Sequence, residues 1–237
     1  MREQLAFLAG GLANFGFDPV KAESLTKYGE LLLEKNQVMN LTAITDPFQV
    51  AALHMLDCAA LAARLPDGVK TVADVGTGAG FPGLVTAILR PDLSVSLLDP
   101  LEKRLNFIRE VIDALGLSNV SLLHIRGEDA GREAALRERF DVTTARAVAE
   151  LTVLAELCLP LTRVGGWFLP MKSTESGGEL DAAKPLLGQL GGAPVGHWDY
   201  SLPGVDVTHR IWRIEKRGPT PDIFPRKWAK IKKTQHK

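Results

Sequence analysis

The chain has 237 residues, a mass of 25.7 kDa, 46% hydrophobic and 24% charged residues, which is typical of a folded protein and excludes disorder as a description of the whole chain. Its longest uncharged stretch, Val75 to Leu89, spans 15 residues, whereas a membrane span needs about 20 apolar residues, so we expect no membrane segment. The net charge of zero hides an asymmetry, because residues 210–237 carry +8 and the remaining residues carry −8.

Three helices are predicted in residues 1–66, which we expect to form a helical extension packed on the core. Apolar residues recur at helical spacing over residues 3–15 and 20–39. Asp46-Pro47 is typical of a helix start and predicts a third helix that runs to about residue 65.

Glu3 lies where an export signal would be apolar, and the two cysteines fit buried free thiols, so we expect a cytoplasmic protein.

From residue 70 short β runs alternate with helices. The expected strands are 72–75, 95–98, 120–125, 141–145 and 167–171. The expected helices between and after them are 82–89, 101–115, 130–139 and 151–161. Repeated units of this kind predict an α/β domain, residues 67–217, with a mostly parallel, Rossmann-like sheet.

The end of the chain departs from this alternation. Residues 195–200 and 205–214 read as an antiparallel hairpin. Residues 172–180 are predicted to form a mobile loop, and the Gly/Pro-rich residues 218–225 a linker. We treat residues 218–237 as a basic C-terminal tail.

A glycine-rich turn, Asp74 to Gly83, follows the first predicted strand. Glycines at a strand end allow positive φ and let the backbone approach a ligand closely. Two spacings fit this turn: one typical of S-adenosylmethionine-binding enzymes and one typical of dinucleotide-binding proteins. A tight turn without a ligand is the third interpretation.

Acidic residues follow the next two strands and help to separate these alternatives. Asp99 ends the second strand, where a carboxylate accepts hydrogen bonds from a ribose, although it also fits a helix N-cap. Glu128 and Asp129 follow the third strand, where an adenine edge lies in a methyltransferase sheet. Together with the terminal hairpin, these acids favour a class I methyltransferase domain over a nicotinamide-binding oxidoreductase.

Several longer motifs make the chain resemble the bacterial RsmG (GidB) family, whose members methylate guanine N7 in small-subunit (16S) ribosomal RNA. The segments that carry the resemblance are Asn40–Ile44, His54–Asp57, Asp74–Gly83, Lys103–Phe107, Gly127–Ala130, Ala145–Ala149, Lys172 and Pro225-Arg226. The resemblance implies S-adenosylmethionine as the cofactor. It also implies a set of cofactor-binding residues: Gly76, Gly78, Phe81, Asp99, Gly127, Glu128 and Arg146.

The basic tail predicts contact with a polyanion, with added solubility as the alternative interpretation. With the resemblance, we expect it to contact 16S ribosomal RNA or the small ribosomal subunit. The expected RNA-binding residues are Arg226, Lys227, Lys230, Lys232 and Lys233. A methyltransferase acting on a small molecule or a protein remains the alternative function.

The sequence predicts no metal site and names no catalytic residue. His54 and Asp57 lie three positions apart on a predicted helix, and we interpret them as a structural pair, with substrate contact as the alternative. Guanine N7 carries a lone pair and no proton, so its methylation requires no general base. Trp228 lies in the basic tail, where it fits either packing or stacking on an RNA base.

Overall fold

The computed structural model describes residues 2–146, 149–174 and 177–233. Two of the predicted N-terminal helices are α1 (Arg2–Asn14) and α2 (Lys21–Asn36). The third is divided into α3 (Pro47–Val50), a π-helical turn (Ala51–Leu56) and α4 (Asp57–Ala62). Asp46 begins it as expected, because its side chain accepts a hydrogen bond from the Gln49 backbone at 2.8 Å.

Within these described ranges, eight strands form one mixed sheet in the order β3-β2-β1-β4-β5-β8-β6, with β7 paired to β8. Pairing is parallel from β3 to β5, and β8 runs antiparallel to β5, β6 and β7, which confirms the mostly parallel sheet and the terminal hairpin. The strands are β1 (Thr71–Val75), β2 (Ser94–Asp99), β3 (Val120–His124), β4 (Phe140–Thr144), β5 (Thr162–Phe168), β6 (Met171–Ser173), β7 (Gly192–Ser201) and β8 (Thr208–Lys216).

Helices cover the sheet on both sides. The helices that follow the first strand are α5 (Gly83–Leu89), α6 (Glu102–Leu115), α7 (Gly127–Ala130), α8 (Leu151–Cys158), α9 (Gly177–Gln189) and α10 (Trp228–Lys232). Alternate strand residues belong to different cores: Val72 packs in the core that contains α1, α2 and α5, whereas Ala73 packs in the core that contains α8 and α9. The N-terminal helices therefore share a core with the sheet, and the boundaries proposed at residues 66 and 217 stay a prediction.

The predicted charged helix over residues 130–139 is wrong. Helix α7 ends at Ala130 and turns follow it, with Glu138 at φ 53°. This segment has no apolar stripe to bury. Its charged side chains bind the C-terminal segment instead: Arg137 donates to the carbonyl oxygens of Thr220 and Phe224, and the Glu138 carboxylate accepts from the Thr220 backbone.

The predicted loop over residues 172–180 is also wrong in the part that the structure describes. Strand β6 includes Lys172, and α9 begins at Gly177, while residues 175 and 176 lie outside the described residues. Gly177-Gly178 favoured a loop, but Ala183 and Leu187 repeat at helical spacing and are fully buried. This spacing is the signal that indicates a helix here. The fifth strand likewise begins earlier than predicted, so that Gly165-Gly166 lie inside β5.

Candidate functional site

The glycine-rich turn follows β1 at the carboxyl edge of the sheet. Gly78 has φ +62° and open space where a side chain would begin, so its backbone faces a cleft. Gly80, at φ +107°, has no such space, because a Cβ atom there would lie 2.6 Å from the hydroxyl oxygen of Tyr28. The buried Tyr28 hydroxyl donates to the Ala79 carbonyl oxygen, so the N-terminal helices fix the shape of the turn.

Asp74 anchors this turn from inside. Its Oδ2 accepts hydrogen bonds from the Thr77 hydroxyl at 2.6 Å and from the Gly83 backbone at 2.8 Å. Burial raises the pKa of the Asp74 carboxyl to about 6. Its Oδ1 has no hydrogen-bond partner in the described part of the chain.

Asp99 closes β2 and is fully buried at the cleft wall. Its carboxylate accepts hydrogen bonds from the Gly78 backbone at 3.0 Å and the Leu101 backbone at 2.8 Å, and Arg104 lies 3.4 Å away. The N-cap position of α6 is Leu101, so Asp99 connects the glycine turn to the end of β2 and is not that cap. The cleft that contains Gly76, Gly78, Phe81 and Asp99, which we call the donor cleft, has a volume of about 450 Å³.

A smaller cavity of about 160 Å³ adjoins this donor cleft. Gly76 and Pro100 line both spaces, and Gly127 and Glu128 line the smaller one. Arg146, two residues after the end of β4, lines the donor cleft. The structure therefore brings all seven expected cofactor-binding residues to two adjoining spaces at one sheet edge.

Arg146 lies between the donor cleft and a third space, of about 430 Å³, which we call the acceptor cleft. Its guanidinium donates to Asp57 Oδ2 at 2.8 Å and lies 5.0 Å from the ring centre of Phe81. Arg146 Nη2 lies 3.1 Å from His54 Nδ1. His54 and Asp57 thus share Arg146 as a partner.

His54 is neutral at physiological pH. Burial and the adjacent Arg146 lower the pKa of its imidazole to about 4. His54 Nδ1 lies between the Arg146 guanidinium, which can only donate, and the Leu53 carbonyl oxygen at 3.2 Å, and its Nε2 shares a hydrogen bond with the Thr42 hydroxyl at 2.8 Å. The π-helical turn carries His54 at the wall shared by the two clefts.

Asp57 is the centre of a hydrogen-bond network that sequence reasoning did not find. Its Oδ1 accepts from the Tyr200 hydroxyl at 2.6 Å and from His209 Nδ1 at 2.7 Å. Burial opposes ionisation, but His209 and Arg146 outweigh it and lower the pKa of Asp57. The hydrogen bond to Asp57 in turn raises the pKa of His209. Tyr200 and His209 come from β7 and β8, and no local pattern connects them to α4.

The acceptor cleft combines apolar and charged groups. Ile44, Leu53 and Met171 supply apolar surface to its lining. Lys172 and Glu179 form an ion pair at 2.8 Å in the same lining. A flat heteroaromatic ring with polar edges fits such a lining.

The C-terminal segment docks on the body of the protein. Arg226 donates to Glu156 through its backbone at 2.6 Å and through its guanidinium at 2.6 Å, and Glu156 is fully buried. The Arg226 guanidinium is therefore paired with Glu156. Four other expected RNA-binding residues are exposed: Lys227, Lys230, Lys232 and Lys233. Residues 234–237, including Lys237, lie outside the described residues.

In the described ranges, no three His, Cys, Asp or Glu side chains cluster in a way that would hold a metal ion. No helix among them has the length and apolar character needed to cross a membrane. Both cysteines are buried and free.

Comparison with known proteins identifies close relatives over most of the chain. A family model described as "rRNA small subunit methyltransferase G" (GidB) matches residues 21–193. A ribosomal RNA small subunit methyltransferase G from Clostridium perfringens (strain 13) is 44% identical over 218 residues, covering 92% of this chain and 91% of its own length. The protein of the same description from Lachnoclostridium phytofermentans is 42% identical over 234 residues, with coverages of 97% and 96%.

Solved structures share the fold at low sequence identity. TYW2 of M. jannaschii, crystallised in complex with AdoMet, matches with a TM-score of 0.53 and 13% identity, over 68% of this chain and 74% of its own. The antibiotic-resistance methyltransferase Kmr matches with a TM-score of 0.52 and 18% identity, over 69% of this chain and 94% of its own. These likenesses confirm the predicted class I methyltransferase fold.

Proposed function

The chain belongs to the rRNA small subunit methyltransferase G family, and we propose that it methylates N7 of one guanine in 16S ribosomal RNA. The family also decides between the functions that the sequence pattern left open, because its members are methyltransferases that use S-adenosylmethionine. The observation that best supports the proposal is that His54 and Arg146 line both the donor cleft and the acceptor cleft, so that two ligands meet at one wall.

The residues present fit S-adenosylmethionine, which supplies an electrophilic methyl group on a sulfonium. Gly78 lets the backbone approach the ligand, since its Cβ position is open. The buried Asp99 carboxylate supplies acceptors for the ribose hydroxyls, and the cavity beside Gly127 and Glu128 has the apolar walls that a purine requires. We assign these residues, with Gly76, Phe81 and Arg146, to the donor site.

We assign the guanine to the acceptor cleft. Apolar side chains there contact the faces of a base, and Lys172 and Arg146 supply donors for its O6 acceptor. The Glu179 carboxylate supplies an acceptor for the N1–H and N2–H₂ donors of guanine. Such a base reaches the cleft from an unpaired loop, because the major groove of an RNA helix is deep and narrow.

The charges of the site agree with a reaction that needs no general base. Guanine N7 loses no proton, so the protein has to align the nitrogen with the methyl group and exclude water. His54 stays neutral because its pKa is about 4, and the Asp57 carboxylate is fully engaged by Arg146, Tyr200 and His209. Both groups therefore serve as fixed walls of the site.

The exposed lysines of the tail extend the proposed RNA surface. Lys227, Lys230, Lys232 and Lys233 are positioned to neutralise phosphates, whereas Arg226 holds the segment to Glu156. With ribosomal RNA as the substrate, we propose the cytoplasm as the place of the reaction.

The test of this function is chemical mapping of the modified base. The protein is incubated with S-adenosylmethionine and either naked 16S ribosomal RNA or the small subunit. The RNA is then reduced with borohydride and treated with aniline, which breaks the chain at N7-methylguanine. One new break that is absent with the Gly78→Val variant is the expected result. Methyl incorporation without a break means another acceptor atom, and no incorporation into either substrate contradicts the proposal.

A further inference from the structure

The small cavity beside the donor cleft is closed on one side by a residue of the C-terminal tail. Its lining includes Trp228, which begins α10. Most of the other lining residues are apolar, and they come from the ends of three strands (Val75, Pro100 and Ile125) and from Leu157 of α8. The tail thus contributes directly to a space that adjoins the donor cleft, since Gly76 and Pro100 line both.

Glu128 supplies an acceptor to this cavity, in a lining that also includes the exposed Arg126. Glu128 is 7% exposed, its carboxylate forms no hydrogen bond or ion pair within the described part of the chain, and its oxygens are open to the cavity. A carboxylate that is mostly removed from water favours a ligand that donates to it. The cavity therefore suits a flat ring that carries an N–H₂ group at its edge and apolar faces, which are the features of adenine.

Trp228 is available to cover such a ring. It remains 38% exposed although the residues around it are anchored: Phe224 and Ile231 are buried, and Arg226 pairs with Glu156. The anchors hold the chain on both sides of Trp228, whose indole lines the cavity and stays partly exposed. An aromatic side chain placed in this way stacks on a base.

We infer that Trp228 forms one wall of the adenine pocket for S-adenosylmethionine, so that donor binding and docking of the basic tail stabilise each other. The inference rests on the assignment of S-adenosylmethionine as the methyl donor. By linkage, a donor that contacts the docked tail shifts the docking equilibrium toward the docked state. The donor affinity falls by that same factor when the tail is undocked. The tail then serves two ligands: its lysines contact RNA, and its tryptophan contacts the donor.

Binding of S-adenosylhomocysteine in the absence of RNA tests this inference. Trp228→Ala is expected to weaken the affinity about 5- to 100-fold, as for loss of a base–aromatic stack. Trp228→Phe is expected to keep most of the affinity. Because a stacked purine quenches indole fluorescence, we expect S-adenosylhomocysteine to quench the fluorescence of the wild type and not that of Trp228→Phe.

The matched control is Trp198→Phe, which changes a tryptophan on β7 that lies against Arg213. It is expected to keep both the affinity and the quenching. The inference is overturned if Trp228→Ala binds S-adenosylhomocysteine as the wild type does, or if the quenching survives in Trp228→Phe. Loss of RNA affinity alone in Trp228→Ala also overturns it, since the indole then stacks on RNA.

Trypsin provides a second readout, because the exposed Lys227 and Lys230 are cleavage sites in the tail. S-adenosylhomocysteine is expected to slow cleavage there in the wild type and to have little effect in Trp228→Ala. If the wild type is cleaved at the same rate with and without S-adenosylhomocysteine, the linkage between donor binding and tail docking is contradicted. A wild type that binds no S-adenosylhomocysteine contradicts the donor assignment itself, and so separates the two failures.

Discussion

The guanidinium of Arg146 donates to the carboxylate of Asp57 across 2.8 Å, although 89 positions separate the two residues in the chain. Arg146 follows β4 and Asp57 begins α4, so the pair joins the sheet edge to the N-terminal helices. Because Arg146 lines the donor and the acceptor clefts, this contact fixes the wall at which the two ligands meet.

Removing the charge of Asp57 should destabilise the protein strongly. Asp57→Asn neutralises a carboxylate that is only 3% exposed and leaves Arg146, whose side chain is 14% exposed, without its counter-ion; breaking a buried pair in this way costs about 3–5 kcal/mol in the free energy of unfolding. Asp199→Asn is the control, because the Asp199 carboxylate that pairs with Arg210 is 39% exposed, and its loss should cost less than about 1 kcal/mol. Urea unfolding measures both, and equal losses would contradict a special role for Asp57.

The stabilisation by His209 should depend on pH. Since Asp57 raises the pKa of His209, the folded state favours the protonated imidazole. Its contribution is complete below the unfolded pKa of about 6.5 and is lost as the pH rises through the raised value. The difference in unfolding free energy between the wild type and His209→Gln should therefore shrink as the pH increases from about 6 to 9. A difference that grows over this range would show that folding lowers the pKa of His209 instead of raising it.

The rate of methyl transfer should not require a base. In His209→Gln, the other two ionisable groups around Arg146, His54 and Asp57, do not change protonation near neutral pH, because the pKa of His54 is about 4 and that of Asp57 is lowered. We expect the single-turnover rate of this variant to be flat from about pH 7 to 8, above the pKa of about 6 of Asp74 in the glycine turn, without the bell shape of acid–base catalysis. A steep limb that persists in the variant would indicate a base or another acceptor atom.

A side chain at Gly78 should block the donor cleft. Gly78→Val places a branched side chain in open cleft space and is expected to weaken S-adenosylhomocysteine binding about 5- to 100-fold, as overpacking does. Gly116→Val is a matched control, because Gly116 has the same φ of +62°, equally open space and a position at the end of α6. Both variants carry similar backbone strain, so equal calorimetric affinities would contradict the assignment of the cleft.

The exposed lysines of the tail should determine part of the salt dependence of RNA binding. Changing Lys227, Lys230, Lys232 and Lys233 to Ala leaves the Arg226–Glu156 pair intact. Each lysine that neutralises a phosphate contributes about 0.7–0.9 to the slope of log affinity against log salt concentration. The fourfold variant should show a smaller slope and unchanged affinity for S-adenosylhomocysteine.

The control for this experiment changes Lys27 and Lys184 to Ala, since both are exposed and lie outside the tail. It should leave the slope unchanged. A fourfold variant with the slope of the wild type would mean that the tail lysines contact no phosphate.

Local sequence determined the sheet edge of the site. The glycines of the turn after β1, Asp99 at the end of β2 and Glu128 after β3 follow from strand ends and turn chemistry, which depend on neighbouring residues. Parallel strands bring their carboxyl ends to one edge, so the position of the donor cleft could be predicted without coordinates. The secondary structure of residues 130–139 and of helix α9 was mispredicted. In both segments it depends on which side chains are buried, and local charge and glycine content do not show this.

Tertiary packing decided the rest. His209 lies 152 positions from Asp57 and Tyr200 lies 143 positions away, and no spacing rule connects such residues. Arg226 read as a free basic residue of a tail, but the buried Glu156, 70 positions earlier, requires a cation and holds it. The sequence therefore showed that a cationic tail exists, whereas the need to pair a buried carboxylate decided where the tail lies and brought Trp228 to the cofactor cavity.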